Sequence, residues 1–269
     1  MAYEKKIGTD NPGVILILID QSGSMSDAAT DGRAKAEHAA LAVNRLIYEI
    51  QEASQSGSTI KPRCMMGVVG YGAQVGPVAN GMIDDLAANP KRVDRIRKKE
   101  SDGAGGLVEV DFNMPIWVDP VAENGTPMAE AFTEAHRVLS SAWLPSHPDS
   151  FPPIVINITD GVPNDKKAAE AQARTLMSLQ TSDGNLLLFN VHISDNKQAA
   201  ETALPSSGSA LADDYARFLF EISSPLPDSL LAEAAKVGFN PQPGARGFVF
   251  NATPESLIKL LTFGSSGLR

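Results

Sequence analysis

The sequence has a single cysteine, Cys64, among its 269 residues, and this excludes a fold held together by internal disulfides. Cys64 lies in the apolar run of residues 64–69, so we expect a small buried thiol and not a reactive one. Histidine is also scarce. The four histidines are spread along the chain with no spacing typical of a zinc site or a catalytic triad, and we expect structural or solvated roles for them: His38, His136, His147 and His192.

Long apolar runs are absent as well. The longest, residues 14–19, is far too short to cross a bilayer, and residues 1–6 are not followed by the apolar segment of a signal peptide. We therefore expect a cytoplasmic protein with no membrane partner.

Basic residues are outnumbered by acidic ones, 23 to 32, which gives a formal net charge of -9. Such a charge argues against nucleic acid as a partner, because binding to phosphates needs clustered Lys and Arg.

Short apolar runs alternate with amphipathic segments along the chain. The runs are bounded by turn-forming residues and predict buried strands at 14–19, 65–69, 154–158, 186–193 and 247–250. Between and after them, apolar residues at helical spacing or capping signals predict helices at 33–53, 127–141, 165–179, 228–236 and 254–261. Nearly continuous apolar strands that alternate with helices predict an α/β fold, with a doubly wound, Rossmann-like and mostly parallel sheet flanked by helices.

The stretch between residues 89 and 119 is less regular. Its first part, residues 90–99, is rich in basic side chains and is interpreted as a solvated helix, and the segment at about 100–120 as a hairpin insertion. Gly103, Gly105 and Gly106 lack the Gly-Lys-Ser/Thr sequence of a phosphate-binding loop. Internal repeats and long linkers are absent, so we predict a single domain over residues 1–269.

Oxygen-bearing residues follow two of the predicted strands and precede one helix. Asp20-Gln21-Ser22-Gly23-Ser24 comes after the first strand, Thr159-Asp160-Gly161 after the third, and Thr126-Pro127-Met128 opens the second helix. In doubly wound sheets, ligands bind where the strands end, so the three loops should meet there. The candidate ligands contain no Cys or His, and such a set suits Mg²⁺, with Mn²⁺ and Ca²⁺ as alternatives: Asp20, Ser22, Ser24, Thr126 and Asp160.

At these three motifs the chain resembles the von Willebrand factor A (VWA) family. The metal ion dependent adhesion site of that family has the pattern Asp-x-Ser-x-Ser, a Thr followed by Pro, and an Asp-Gly pair. The resemblance covers a core of about residues 12–262. It implies that Ser22, Ser24 and Thr126 approach the metal directly, while Asp20 and Asp160 act largely through water. Among relatives, the chain is similar to the bacterial tellurite-resistance TerY type, which implies a protein kinase or protein phosphatase of the same system as the partner.

Three functions remain open at this point. The first is a non-enzymatic signalling or stress-response adaptor whose metal holds an Asp or Glu of a partner protein, with contacts from the loops at Gln21, Met25, Pro127, Met128 and Val162. The alternative is a Mg²⁺-dependent hydrolase or phosphotransferase with Asp20 as the nucleophile. The third is a purely structural metal, with partner binding on the inserted hairpin or on residues 205–227. Because neither a Gly-x-Ser-x-Gly motif nor a general acid–base pair is recognisable, we favour the first.

Overall fold

The computed structural model describes residues 3–29, 32–101, 106–194, 200–211, 213–253, 255–256 and 259–260. Its strands are β1 (Gly13–Asp20), β2 (Gln55–Ser56), β3 (Thr59–Ile60), β4 (Cys64–Tyr71), β5 (Val75–Met82), β6 (Arg92–Ser101), β7 (Leu107–Ile116), β8 (Ile154–Thr159), β9 (Gln180–Thr181), β10 (Gly184–Asn185), β11 (Leu187–His192), β12 (Thr202–Ala203) and β13 (Phe248–Phe250). The helices are α1 (Lys35–Ala53), α2 (Ile83–Ala88), α3 (Met128–Val138), α4 (Lys166–Met177), α5 (Asp214–Glu221) and α6 (Asp228–Lys236).

A seven-stranded sheet forms the centre of the molecule, in the order β12-β13-β11-β8-β1-β4-β5. The five inner strands are parallel, and β12 and β5 pair antiparallel at the two edges. This confirms the predicted α/β fold with a mostly parallel sheet. All five predicted strands belong to this sheet, as β1, β4, β8, β11 and β13, with ends that differ by no more than two residues.

Strand β1 shows why the sheet is covered on both faces. All eight of its residues are buried, and successive side chains of a strand point to opposite faces. Ile15, Ile17 and Ile19 belong to the core cluster that contains α1 and α6 residues. Leu16 and Leu18 belong to a second cluster, with residues of α3, α4 and α5. Helices therefore pack on both sides, as the doubly wound fold requires.

The predicted helix at residues 90–99 is wrong. That stretch is strand β6, which pairs antiparallel with β7 over ten residue pairs, so the hairpin begins at Arg92 and not at about residue 100. The basic side chains are matched across the hairpin: Arg95 pairs with Asp111, and Arg97 lies 3.6 Å from Glu109. Pairs of opposite charges across two strands stabilise the hairpin. A charged segment has no periodic apolar residues from which the strand could have been predicted. Of the three glycines discussed above, Gly103 and Gly105 lie outside the described residues.

The helices that the apolar patterns predict are otherwise present. Asp165 caps α4, because its Oδ1 accepts a hydrogen bond from Ala168 N at 3.0 Å. For the predicted helix 254–261, residues 255, 256, 259 and 260 are helical, and the remaining four lie outside the described residues. Helices α2 and α5 were not predicted. Within the described ranges, none of the helices combines the length and the apolar character needed to cross a membrane.

Candidate metal centre

Three loops meet at the edge of the sheet where the parallel strands end. Strand β1 ends at Asp20 and β8 at Thr159, and Ile19 and Ile158, one residue before each end, are register partners. Two backbone hydrogen bonds tie the loop after β1 to the loop before α3. Gly23 N donates to Asn124 O at 2.8 Å, and Glu123 N donates to Gln21 O at 2.6 Å. The topology of the sheet therefore brings the three motifs together.

Asp20 is held at the centre of this edge and is only 1% exposed. Its Oδ1 accepts a hydrogen bond from Ser22 N at 2.8 Å, and its Oδ2 accepts one from Thr159 Oγ1 at 2.5 Å. Burial raises the pKa of Asp20 to about 6, against the opposing effect of hydrogen bonds from Ser22 and Thr159; the nearby charge of Asp160 adds to the rise. A cation at this position would offset the cost of the buried carboxylate.

The two serines connect Asp20 to Asp160. Ser22 Oγ and Ser24 Oγ are 3.1 Å apart, and Ser24 Oγ donates to Asp160 Oδ1 at 2.8 Å. Ser22 is 2% exposed, whereas Ser24 is exposed to solvent. The chain of hydroxyls thus begins beside the buried Asp20 and ends at the surface.

Thr126 completes the predicted set. A Cβ atom placed on Gly161 would lie 3.5 Å from Ser24 Oγ and 3.9 Å from Thr126 Oγ1, so both hydroxyls flank the same glycine. Thr126 is 6% exposed, and its N donates to Asn164 Oδ1 at 3.0 Å. Helix α3 begins at Met128, with Pro127 at the N-cap and no side-chain capping bond, so the Thr126 side chain does not cap the helix. Its hydroxyl makes no hydrogen bond to a residue that the structure describes, and so is available to a ligand.

Lys35 is a functional candidate that the sequence did not reveal. It is the first residue of α1, and its Nζ lies 2.8 Å from Asp160 Oδ2. The side chains of Lys35 and Asp160 are 5% and 1% exposed. An ammonium group therefore already neutralises one of the two carboxylates of the site. Thr159, the hydrogen-bond donor to Asp20, was also missed, although its place directly before Asp160 could have indicated it.

Buried polar groups surround the site. Tyr71, at the end of β4, donates from its hydroxyl to Asn157 Oδ1 at 2.6 Å; burial and the charge of Asp20 raise the pKa of Tyr71 well above its ordinary value. Burial lowers the pKa of His192, at the end of β11. The hydroxyl of Tyr215 is buried without a hydrogen-bond partner in the part of the chain that the structure describes. The environment of the two carboxylates is thus poorly solvated.

The residues expected to form a contact surface around the site are only partly at the surface. Met25 and Met128 are 0% exposed, so the expectation for them is wrong. Both are apolar side chains that pack into the core clusters on the two faces of the sheet. Gln21 and Pro127 are partly exposed, and Val162, two residues after Asp160, is 60% exposed. Of the five expected residues, Gln21, Pro127 and Val162 are therefore the ones that reach the surface.

The donor set fits a hard divalent cation. Two carboxylates and three hydroxyls meet at one edge, and Mg²⁺, Mn²⁺ and Ca²⁺ prefer oxygen ligands of these kinds. Among the described residues, no group of three or more His, Cys, Asp or Glu side chains could hold a metal ion. A site here therefore depends on the serine and threonine hydroxyls, and two carboxylates alone do not make it.

No protein-family model and no curated protein matches the sequence. Solved structures that resemble the chain include the conserved hypothetical protein BatB from Bacteroides thetaiotaomicron, with 16% identity over 67% of this chain and 66% of that one, and a TM-score of 0.38. Manganese-loaded TRAP protein of Plasmodium vivax has 18% identity over 70% of this chain and 61% of that one, with a TM-score of 0.37. The ArnB paralog VWA2 from Sulfolobus acidocaldarius has 17% identity over 68% and 35%, with a TM-score of 0.37. The chain spans about two thirds or less of these proteins, and at such identities the likeness concerns the fold alone.

Proposed function

We propose that this chain is a non-enzymatic interaction module that binds one divalent metal, preferably Mg²⁺, and holds an acidic side chain of a partner protein with it. The observation that carries the proposal is the meeting of three loops at one sheet edge. That edge gathers five oxygen-bearing side chains, from Asp20, Ser22, Ser24, Thr126 and Asp160. When bound, the metal supplies an electrophilic centre for which a carboxylate is a good ligand.

Asp20 and Ser24 have different roles in the proposed site. Both oxygens of Asp20 accept hydrogen bonds, from Ser22 N and Thr159 Oγ1, so the protein itself orients the carboxylate that supplies negative charge. Ser24 is exposed and faces the solvent side of the cluster. A partner carboxylate would therefore approach from the side of Ser24, and the exposed Val162 would contact the partner next to it.

A nucleophilic role for Asp20 has less support. A carboxylate that attacks a phosphoryl or acyl group must reach the substrate. Asp20 is 1% exposed, and each of its oxygens already accepts a hydrogen bond. Two positions after Asp20 stands Ser22, so this position supplies no second carboxylate that could assist a nucleophilic Asp20. Ser22 instead donates its backbone N–H to Asp20. Binding therefore agrees better with this geometry than covalent catalysis.

The identity of the partner is a proposal that rests on the resemblance to the TerY type. It points to a cytoplasmic signalling or stress-response system in which a protein kinase or protein phosphatase offers the Asp or Glu.

The test is capture of the partner with and without metal. The immobilised chain is incubated with native lysate in Mg²⁺ or in EDTA, as wild type, as Thr126→Ala and as Thr133→Ala. Thr133 is the matched control, because it is exposed on α3 and its hydroxyl only donates to Ala129 O. We expect one partner to be lost in EDTA and in Thr126→Ala but kept in Thr133→Ala.

The captured partner is then tested by replacing its Asp and Glu residues one at a time. One such replacement should abolish capture in Mg²⁺. Retention of every partner in EDTA would contradict the proposal. The remaining explanation would then be a metal with a purely structural role, with partner binding on the β6–β7 hairpin or on residues 205–227.

A further inference from the structure

The inference concerns Lys35 and rests on the proposed function. Lys35 opens α1, and its backbone N donates to Asp27 O at 3.0 Å, so the position of its side chain is set by the loop that follows the first motif. Its ammonium lies 2.8 Å from Asp160 Oδ2. Among the described residues, Asp160 is the one carboxylate within salt-bridge distance of Lys35. The pair joins the start of α1 to the end of β8.

The salt bridge between Lys35 and Asp160 is buried, so its two charges depend on each other. An exposed salt bridge exchanges freely with water and contributes little. Here the two side chains are 5% and 1% exposed, so neither charge is well solvated without the other. Asp160 also accepts a hydrogen bond on its other oxygen, Oδ1, from Ser24. Both oxygens of Asp160 are therefore engaged by the protein itself.

We infer that the Lys35 ammonium is a built-in counter-cation of the metal site. It holds Asp160 when no divalent ion is bound, lowers the affinity of the site for that ion, and leaves the loaded site with excess positive charge for an anionic partner. The two carboxylates and the Lys35 ammonium together carry one net negative charge, so a bound dication gives the site one net positive charge. Without Lys35, the two carboxylates would cancel the charge of the dication, and the loaded site would be neutral.

Two effects of opposite sign follow from this charge balance. Removal of Lys35 takes away a repelling charge, so the metal should bind more tightly. The loaded site would then carry no net charge, so a partner carboxylate should bind more weakly. Damage to the site would weaken both. A rise in metal affinity is therefore a result that a merely structural role for Lys35 does not produce.

The experiment is a calorimetric titration of the EDTA-stripped full chain with MgCl₂ and, separately, MnCl₂. The variants are Lys35→Met and Lys167→Met, and circular dichroism checks that each is folded. Lys167 is the matched control, since it also lies in the first turn of a helix but is exposed. Lys35→Gln is a second variant that removes the charge but keeps a donor for Asp160, in case Lys35→Met does not fold.

We expect Lys35→Met or Lys35→Gln to bind the metal at least about tenfold more tightly than wild type, with Lys167→Met unchanged. Metal binding by the Lys35 variant and not by wild type would overturn the proposed function, because the natural site would then hold no metal. Equal or weaker binding by the folded Lys35 variant would overturn the inference while the proposed function stands. No binding of either ion by wild type or by the Lys35 variants would overturn the proposed function, and the inference with it.

Discussion

The hydroxyl of Thr159 donates to Oδ2 of Asp20 across 2.5 Å, from the end of β8 to the end of β1. The same hydroxyl oxygen accepts a hydrogen bond from Gly161 N at 3.1 Å. Thr159 is 0% exposed, so neither bond is replaced by water if it is lost. This one side chain therefore fixes the central carboxylate and the turn that carries Asp160.

Replacement of Thr159 by the isosteric valine tests that relationship. Thr159→Val removes a donor from Asp20 and an acceptor from Gly161 N without leaving a cavity, and we expect the free energy of unfolding to fall by about 1–3 kcal/mol. Urea denaturation measures it. Thr175→Val is the control, because Thr175 is exposed on α4 and its hydroxyl donates to Ala171 O; it should change stability by less than about 0.5 kcal/mol. Equal losses in the two variants would show that the Asp20 contact has no special role.

The pKa of Asp20 predicts a pH dependence of stability. Its folded-state value of about 6 lies above the ordinary 3.8, so the folded metal-free protein binds the proton more tightly than the unfolded chain does. The contribution of Asp20 to stability is therefore most favourable below about pH 4 and is lost as the pH rises through about 6, by about 3 kcal/mol in total.

Asp20→Asn isolates this effect, because it removes the titration and keeps the shape. In EDTA, the unfolding free energy of Asp20→Asn minus that of wild type should rise by about 2–3 kcal/mol between about pH 4 and pH 7. Mg²⁺ should reduce the difference at the higher pH by stabilising the wild-type carboxylate. A difference that stays flat with pH would mean that the buried carboxylate costs nothing.

A polar network under the site predicts a second stability effect. Asn157 is 0% exposed; it accepts from the Tyr71 hydroxyl at 2.6 Å and donates to Asn190 Oδ1 at 2.9 Å. Asn157→Leu would leave both partners without this bond, and we expect a loss of about 2–4 kcal/mol in urea denaturation. Tyr71→Phe added to Asn157→Leu should recover part of it. Asn80→Leu, at an exposed position of β5, is the control for the substitution itself.

Cys64 is predicted to be unreactive in the folded protein. It is 0% exposed, and burial raises the pKa of its thiol to about 12. The thiolate is the reactive form, so iodoacetamide at about pH 8 should leave native protein unmodified and should alkylate the protein in guanidinium chloride. Mass spectrometry measures the modification. Similar alkylation rates in the two conditions would show that the strand β4 opens readily.

The inner strands of the sheet were predictable, because β1 and β8 are apolar on both faces and end in polar turns. The helical character of α1 was equally clear from its spacing of buried residues. The β6–β7 hairpin was not, since Arg95 and Arg97 find their partners on another strand and a charged run has no apolar period. The spacing of apolar residues therefore predicts the strands and helices that pack in the core. It does not predict a strand such as β6, whose structure depends on pairing with another strand.

For the site, the motifs predicted the residues that the strand ends bring together. They could not predict Lys35, because a lysine in the first turn of a helix is normally solvated and nothing in its neighbourhood signals burial. Its burial is a consequence of where α1 starts relative to Asp160, which lies 125 residues away along the chain. Similarly, Met25 follows the first motif directly, yet it points into the core.

The central claim is tested most directly by calorimetric titration of the EDTA-stripped chain with Mg²⁺ and Mn²⁺, as wild type, Ser24→Ala and Ser26→Ala. Ser26 lies in the same loop and is exposed, but its hydroxyl donates only to Gly23 O, so it is the matched control. We predict one binding site in wild type and Ser26→Ala, and an affinity at least about tenfold lower in Ser24→Ala, because the proposed site would lose one of its ligand oxygens. Absence of binding in wild type, or equal affinity in all three proteins, would contradict the account.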